Sequence, residues 1–83
     1  MSNQSVGFNV SSAAKAVKKA KEWISALNVG SKFRGAVPEA YARFGEGTME
    51  SRMFIAAALD ELKRIDIWVD DDSIITKLER AEA

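Results

Sequence analysis

The 83-residue chain contains no cysteine and no histidine, and only one proline. Without cysteine there is no disulfide, and without cysteine or histidine there is no zinc site of the usual kind. A fold this small must therefore be held together by packing alone. The same absences remove thiol and imidazole chemistry, which leaves carboxylates, lysine, tyrosine and serine as catalytic material. The sequence pattern places no nucleophile beside a base, and a fold of 83 residues rarely encloses a substrate pocket. We therefore expect a protein that is not an enzyme and has no cofactor.

Long apolar runs are also absent, since no stretch approaches the roughly 20 residues that span a bilayer. The first eight residues lack the charged region and apolar stretch of a signal peptide. We therefore expect a cytoplasmic protein without a membrane role. An apolar content of 47% is typical of a globular chain. The aperiodic residues 1–10 are interpreted as a flexible tail, and residues 11–83 as a single domain.

Positive and negative side chains are unevenly distributed, although the net charge is zero. Residues 1–45 carry seven basic and two acidic side chains, whereas residues 46–83 carry five basic and ten acidic ones. The sequence is therefore an electrical dipole. Whether the folded protein is one depends on how the two halves pack.

Apolar residues recur at spacings of three and four in the first third of the chain, which is the pattern of a helix with one buried face. The stripe consists of Ala13, Ala16, Val17, Ala20, Ile24 and Leu27. Ser11 and Ser12 are candidate N-caps, and Asn28 with Gly30 marks the end of the helix. A short helix is predicted for residues 38–44, because proline is favoured in the first turn.

The strongest helical pattern covers residues 49–65, with Thr48 as its candidate N-cap. Residues 65–69 alternate as a strand does, but we find no partner strand and interpret them as the helix end and a tight connection. Residues 74–81 repeat apolar side chains at helical spacing and predict a terminal helix, capped within residues 70–73. The sequence thus predicts an all-α fold, a small antiparallel helical bundle with two long helices and one or two short ones.

A basic run on the first predicted helix is the most suggestive feature for function. Lysines on one helix face neutralise phosphates and release counterions, which gives nucleic-acid binding without sequence preference. The alternative interpretation is that these lysines form only the solvated face of an amphipathic helix and bind nothing. The residues predicted to bind nucleic acid or an acidic partner are Lys15, Lys18, Lys19, Lys21, Lys32 and Arg34.

Residues 38–58 also fit a helix-turn-helix in outline, with a short helix, a glycine turn and a longer helix. The fit is poor at the start of the second helix. A recognition helix carries polar and basic residues there, whereas only Arg52 offers a base contact in this segment. We therefore do not favour base reading by this motif.

A second candidate surface consists of acidic and aromatic residues. Asp66 and the run Asp70 to Asp72 offer oxygen ligands, but the spacing matches no calcium loop, so helix capping is favoured and no metal site is expected. Tryptophan and other large aromatics concentrate binding energy at interfaces. The residues predicted to bind a protein partner are Phe33, Trp68, Asp70, Asp71 and Asp72.

The favoured function is a non-enzymatic protein-interaction module, a bundle that self-associates as a homo-oligomer or docks on a larger protein as adaptor or inhibitor. Its motivation is small size without disulfides, a wide apolar surface on the helix at 49–65 and opposite charge in the two halves. The alternative is a small nucleic-acid-binding accessory protein that uses the basic face of the first helix. The two hypotheses differ in whether those lysines lie on an open face or against the acids of the second half.

Overall fold

A computed structural model describes residues 10–81, which form three helices and a two-stranded antiparallel sheet. The elements in chain order are α1 (Val10–Ala26), α2 (Ala36–Phe44), α3 (Met49–Leu62), β1 (Ile65–Val69) and β2 (Ile75–Arg80). The fold is therefore mixed α and β, and the predicted all-α helical bundle is wrong. The predicted tail lies outside the described residues except for Val10, the first residue of α1.

Helix α1 confirms the first predicted helix. Its buried side chains are Ala13, Ala16, Ala20 and Ile24, followed by Leu27 just after the helix end. The helix begins at Val10, so Ser11 and Ser12 lie inside its first turn and do not precede it. Alanines at full burial let the axis of α1 approach α3 closely, and Ala58 of α3 is likewise fully buried.

Helix α3 occupies the centre of the fold, in contact with α1, α2 and β1. Its Phe54 is completely buried and touches aromatic rings from two other helices. The ring centroids of Trp23 on α1 and Phe44 on α2 lie 5.5 and 5.6 Å from that of Phe54. Such tilted ring contacts stabilise the fold beyond the effect of the buried area of each ring. One side chain therefore joins all three helices.

The hairpin formed by β1 and β2 replaces the predicted helix end and the predicted terminal helix. Ile65 pairs with Arg80, and the register continues through Ile67 opposite Leu78. The partner strand that the alternation in residues 65–69 required is thus residues 75–80. Asp70 to Ser73 form the hairpin turn and cap no helix, because the Asp70 carboxylate accepts from the backbone N–H of Asp72 and Ile74 at 2.8 and 3.0 Å.

A β-bulge in β2 explains why residues 74–81 imitate a helix. Trp68 pairs with Lys77 whereas Val69 pairs with Ile75, so one extra residue, Thr76, is inserted between them. The insertion shifts the alternation by one position. Ile75, fully buried, and Leu78, half-buried, consequently face the core although they are three residues apart. A spacing of three is also the helical spacing, which is why the pattern misleads.

The loop between α1 and α2 lies along the start of β2 and extends the hairpin by a short third segment. Gly30 N–H donates to the carbonyl of Ile75 at 2.9 Å, and Ile75 N–H donates to the carbonyl of Ser31 at 2.8 Å. Lys32 forms an isolated antiparallel bridge with Ile74. Gly30 has φ of +97°, which glycine adopts without steric cost.

Arg80 ties the end of the hairpin to the end of α1. Its guanidinium donates to the carbonyl oxygens of Ile24 and Leu27 at 3.0 Å each, and to that of Ser25 at 3.4 Å. The last carbonyls of a helix have no partner within the helix and carry partial negative charge. Since the last turn of α1 contains no basic residue of its own, β2 supplies the cation.

The Phe54→Ala variant should lose about 3–5 kcal/mol of unfolding free energy, because it removes a fully buried ring from the junction of three helices. A domain of this size has a stability of that order. We therefore expect a largely unfolded chain by far-ultraviolet circular dichroism. Leu59→Ala on the same helix is the matched control, since Leu59 is 51% exposed. It should cost less than about 1 kcal/mol.

The Arg80→Ala variant should lose about 1.5–3 kcal/mol, the contribution typical of hydrogen bonds from a charged donor. Urea unfolding at low and high salt measures the loss. Arg52→Ala is the control, because Arg52 is exposed on α3 and an exposed site without special contacts changes stability by about 0.5 kcal/mol or less. Equal midpoints for the two variants would contradict the capping role of Arg80.

Candidate functional site

Four lysines of α1, namely Lys15, Lys18, Lys19 and Lys21, are exposed. Within residues 10–81, the salt bridges join Arg43 to Glu39, Arg64 to Asp60 and Lys77 to Glu79. None of these pairs includes a lysine of α1, and none joins the first half of the chain to the second. The charge separation seen in the sequence is therefore not neutralised by ion pairs across the described fold.

An open cleft of about 480 Å³ lies between α1, the end of α2 and the start of α3. Lys15 and Lys19 line it from α1, and Arg43 lines it from α2. The first turns of α1 and α3 reach the same cleft through Ser12 and Glu50. We call Lys15, Lys18, Lys19, Lys21 and Arg43 the basic surface.

Arg43 is held in place by two contacts. Its Nε donates to a Glu39 carboxylate oxygen at 2.8 Å, one helical turn back. Its guanidinium carbon lies 5.2 Å above the ring centroid of Phe54. A planar guanidinium between a carboxylate and an aromatic face loses less side-chain entropy when it binds a further anion. Glu39 offsets part of the positive charge of Arg43. Arg43 therefore contributes to anion binding more through its fixed position than through net charge.

The turn between α2 and α3 sets the cleft's third wall. Gly45 and Gly47 have φ of +89° and +84°, where a side chain would be strained. Thr48 then caps α3 as predicted, because its Oγ1 accepts from the N–H of Ser51 at 3.1 Å. The same hydroxyl donates to the Gly45 carbonyl at 3.0 Å. The start of α3 is thereby fixed beside Arg43 and Phe44.

The structure does not bring all six predicted basic residues together. Lys32 and Arg34 are exposed but lie in the loop after α1, where Lys32 bridges to Ile74 at the acidic hairpin turn. Neither residue lines the cleft of Lys15 and Lys19. Arg43, in contrast, belongs to the cleft and was not among the predicted binding residues. Its spacing of four from Glu39 was the available signal.

Phe33 is half-buried, and one face of its ring is already covered. The ring stacks on Trp23 at a centroid distance of 5.6 Å and an interplanar angle of 21°. Its backbone N–H donates to the Ser73 carbonyl at 2.7 Å, next to the hairpin turn. Phe33 therefore packs against the aromatic group around Phe54, and only part of its ring is available to a partner.

Trp68 is 44% exposed on the hairpin, and its neighbour Val69 is 46% exposed. The Lys77 ammonium lies 4.6 Å from the Trp68 ring centroid, in a cross-strand cation–π contact. Asp71 and Asp72 are exposed at the turn. The structure thus places Trp68 and the acidic residues on one hairpin, although within residues 10–81 no group of acids could hold a metal ion.

The outer face of α3 presents apolar and charged side chains in mixture. Met49 and Leu59 are exposed, and Arg52 with Lys63 are the basic residues of this face. Asp60 on the same helix offsets one of them and pairs with Arg64. This composition offers little for hydrogen bonding to base edges. The connection to α2 is nonetheless a four-residue glycine turn, which is the length found in helix-turn-helix motifs.

Comparison with protein-family models, with characterised proteins and with solved structures yields no match for this chain. Among the described helices, none is long and apolar enough to cross a membrane.

The Lys15→Gln variant should be as stable as the natural chain or more stable by about 0.2–0.5 kcal/mol, because Lys15 and Lys19 are like charges one helical turn apart. Glutamine has nearly the helix propensity of lysine, so propensity does not obscure the effect. Urea unfolding at low salt measures the gain, and high salt should abolish it. Lys32→Gln, in the loop, is the control without a helical neighbour. A loss of stability would contradict this prediction and would mean that Lys15 stabilises the folded state.

Proposed function

We propose that the protein binds nucleic acid through the phosphate backbone and that the basic surface makes the contact. The observation that carries the proposal is that the lysines on α1 are exposed and take part in none of the salt bridges within residues 10–81. Like charges at helical spacing cost stability. A ligand with regularly spaced negative charges would relieve this repulsion. Each phosphate that a lysine neutralises also releases counterions, which favours binding.

The cleft adds a site for one phosphate group. Lys15 and Lys19 approach it from one side and Arg43 from the other. The first turns of α1 and α3 add partial positive charge, since backbone N–H groups at a helix start lack partners within the helix. Glu50 reduces the potential at this point, and a phosphate next to the cleft would be met by Lys18, which lines an adjoining hollow with Lys15, Lys19 and Glu22.

The element order supports a nucleic-acid role by analogy alone. Two helices joined by a glycine turn have the outline of a helix-turn-helix, a motif whose second helix lies in the major groove. A fold does not fix a function. Because α3 is poor in base-reading side chains and the hairpin turn is acidic, we propose backbone binding without sequence preference and do not propose groove reading.

A protein-interaction module is the second candidate, as the sequence suggested. The observation in its favour is the exposure of large apolar side chains on the hairpin, at Trp68 and Val69. Trp68 and its acidic neighbours lie away from the basic surface in sequence and in fold. The two candidate functions therefore use different surfaces and can be tested independently.

Replacing Lys15 and Lys19 with glutamine should weaken binding to duplex DNA roughly 50-fold at about 0.1 M salt. Each lost phosphate contact reduces the slope of log K against log salt concentration by about 0.9, so the double variant should reduce it by about 2. Fluorescence anisotropy with a labelled duplex measures both quantities. Duplexes of different sequence should bind with equal affinity.

The double variant Arg52→Gln with Lys63→Gln is the matched control, because it also removes two positive charges but from the outer face of α3. Under backbone binding by α1, this control should keep most of the affinity and the salt slope. A larger loss in the control than in the α1 variant would show groove binding by α3 and would contradict the proposal. Undetectable binding of the natural chain at low salt would also reject it.

A further inference from the structure

We propose that the free edge of β1 pairs with the same edge of a second copy, forming a four-stranded antiparallel sheet across a two-fold axis at Ile67. β1 is bonded to β2 on one side only, and the loop after α1 covers the other edge of β2 at its start. Within residues 10–81, β1 has no strand on its outer side. An uncovered edge strand is a ready template for another strand.

The register of the hairpin shows which backbone groups point outward. Ala81 N–H donates to the Arg64 carbonyl at 2.7 Å, so this pair is of the hydrogen-bonded kind. Pairs alternate along an antiparallel ladder. Asp66 and Trp68 therefore bond to β2, whereas the N–H and C=O groups of Ile65, Ile67 and Val69 point to the free edge.

A two-fold axis at Ile67 would satisfy all of these outward groups at once. Ile67 would pair with Ile67 of the second copy. Ile65 of each copy would pair with Val69 of the other. Each of these is a hydrogen-bonded pair, since both members point outward. The 46% exposed side chain of Val69 would then lie beside an isoleucine. Residues 65–69 are rich in β-branched and aromatic side chains, which suit an interior strand.

Charge selects this register over its neighbours. With the axis at Ile67, Asp66 lies opposite Trp68 of the second copy, on the hairpin face that carries Lys77. If the axis passed through Asp66, the two Asp66 carboxylates of the dimer would lie opposite each other. If it passed through Trp68, Asp66 of one copy would lie opposite Asp70 of the other. Like charges directly opposite destabilise a sheet. The Lys77 ammonium already lies over Trp68 and can meet the incoming carboxylate.

Asp66 is unfavourably placed within a single chain, which strengthens the argument. It lies directly opposite Glu79 in the hairpin register. Lys77 neutralises Glu79 through a salt bridge of 3.5 Å, but Asp66 is in none of the salt bridges of the described residues. A second copy would bring Asp66 within reach of Lys77, which Asp66 and Glu79 would then share.

The test is the mass of the full chain by light scattering across protein concentration, for the natural sequence and for Asp66→Lys. In the single chain this substitution places an ammonium group opposite Glu79, so thermal stability should stay equal or rise. In the dimer it places two ammonium groups together at each of two symmetric contacts, so dimerisation should weaken at least about tenfold. The double variant D66K with K77E should restore it.

Hydrogen exchange of single amides identifies the surface. With rising protein concentration, the amides of Ile65, Ile67 and Val69 should become protected, whereas those of Asp66 and Trp68 should be protected throughout. A chain that stays monomeric at millimolar concentration overturns the proposal. So does a dimer whose outward amides exchange freely, and so does a D66K chain that dimerises as well as the natural one.

Discussion

The contact of Phe54 with the aromatic rings around it is the constraint on which the remaining structure depends. The fully buried ring lies where α1, α2 and α3 meet, and Trp23 carries the contact on to Phe33 in the following loop. Most other core side chains are alanines, which contribute little buried area each. In a core of this kind a few large rings determine the spacing of the helices. The alanines determine how closely the backbones approach.

The same ring connects the core to the charged surface. Arg43 lies over one face of Phe54 while its guanidinium reaches the cleft lined by Lys15. The hairpin, with its acidic turn, lies at the C-terminal ends of α1 and α3. The packing therefore separates the lysines of α1 from the acidic turn, although Lys32 lies beside that turn, and the fold presents both a basic surface and a hairpin with a free edge. A phosphate backbone would select one of them, and strand pairing would use the other.

The helices were predictable from the sequence because α1 and α3 have regular apolar stripes and α2 has a proline near its start. Their bounds were less predictable, since α2 begins at Ala36 and not at Pro38, and α3 ends at Leu62 and not at residue 65. The stripe on α1, the Thr48 cap and the glycines before it follow local rules that act over a few residues. The hairpin was not predictable by the same rules. Strand pairing is a contact between distant residues, and the Thr76 bulge gives Ile75 and Leu78 a helical spacing. The lysines of the site were visible in the sequence, whereas the placement of Arg43 beside them depends on tertiary packing around Phe54.

The bond from Arg80 to the end of α1 spans 56 residues of sequence, and this has a consequence for how the chain folds. The carbonyls at the end of α1 gain the guanidinium as a partner only when Arg80, the last residue of β2, is in place. Loop closure over such a length costs entropy that only the completed native contacts offset. We therefore expect the last turn of α1 to fray in a chain that lacks the hairpin. The last turn of α1 and the end of β2 thus stabilise each other, although they lie far apart in the sequence.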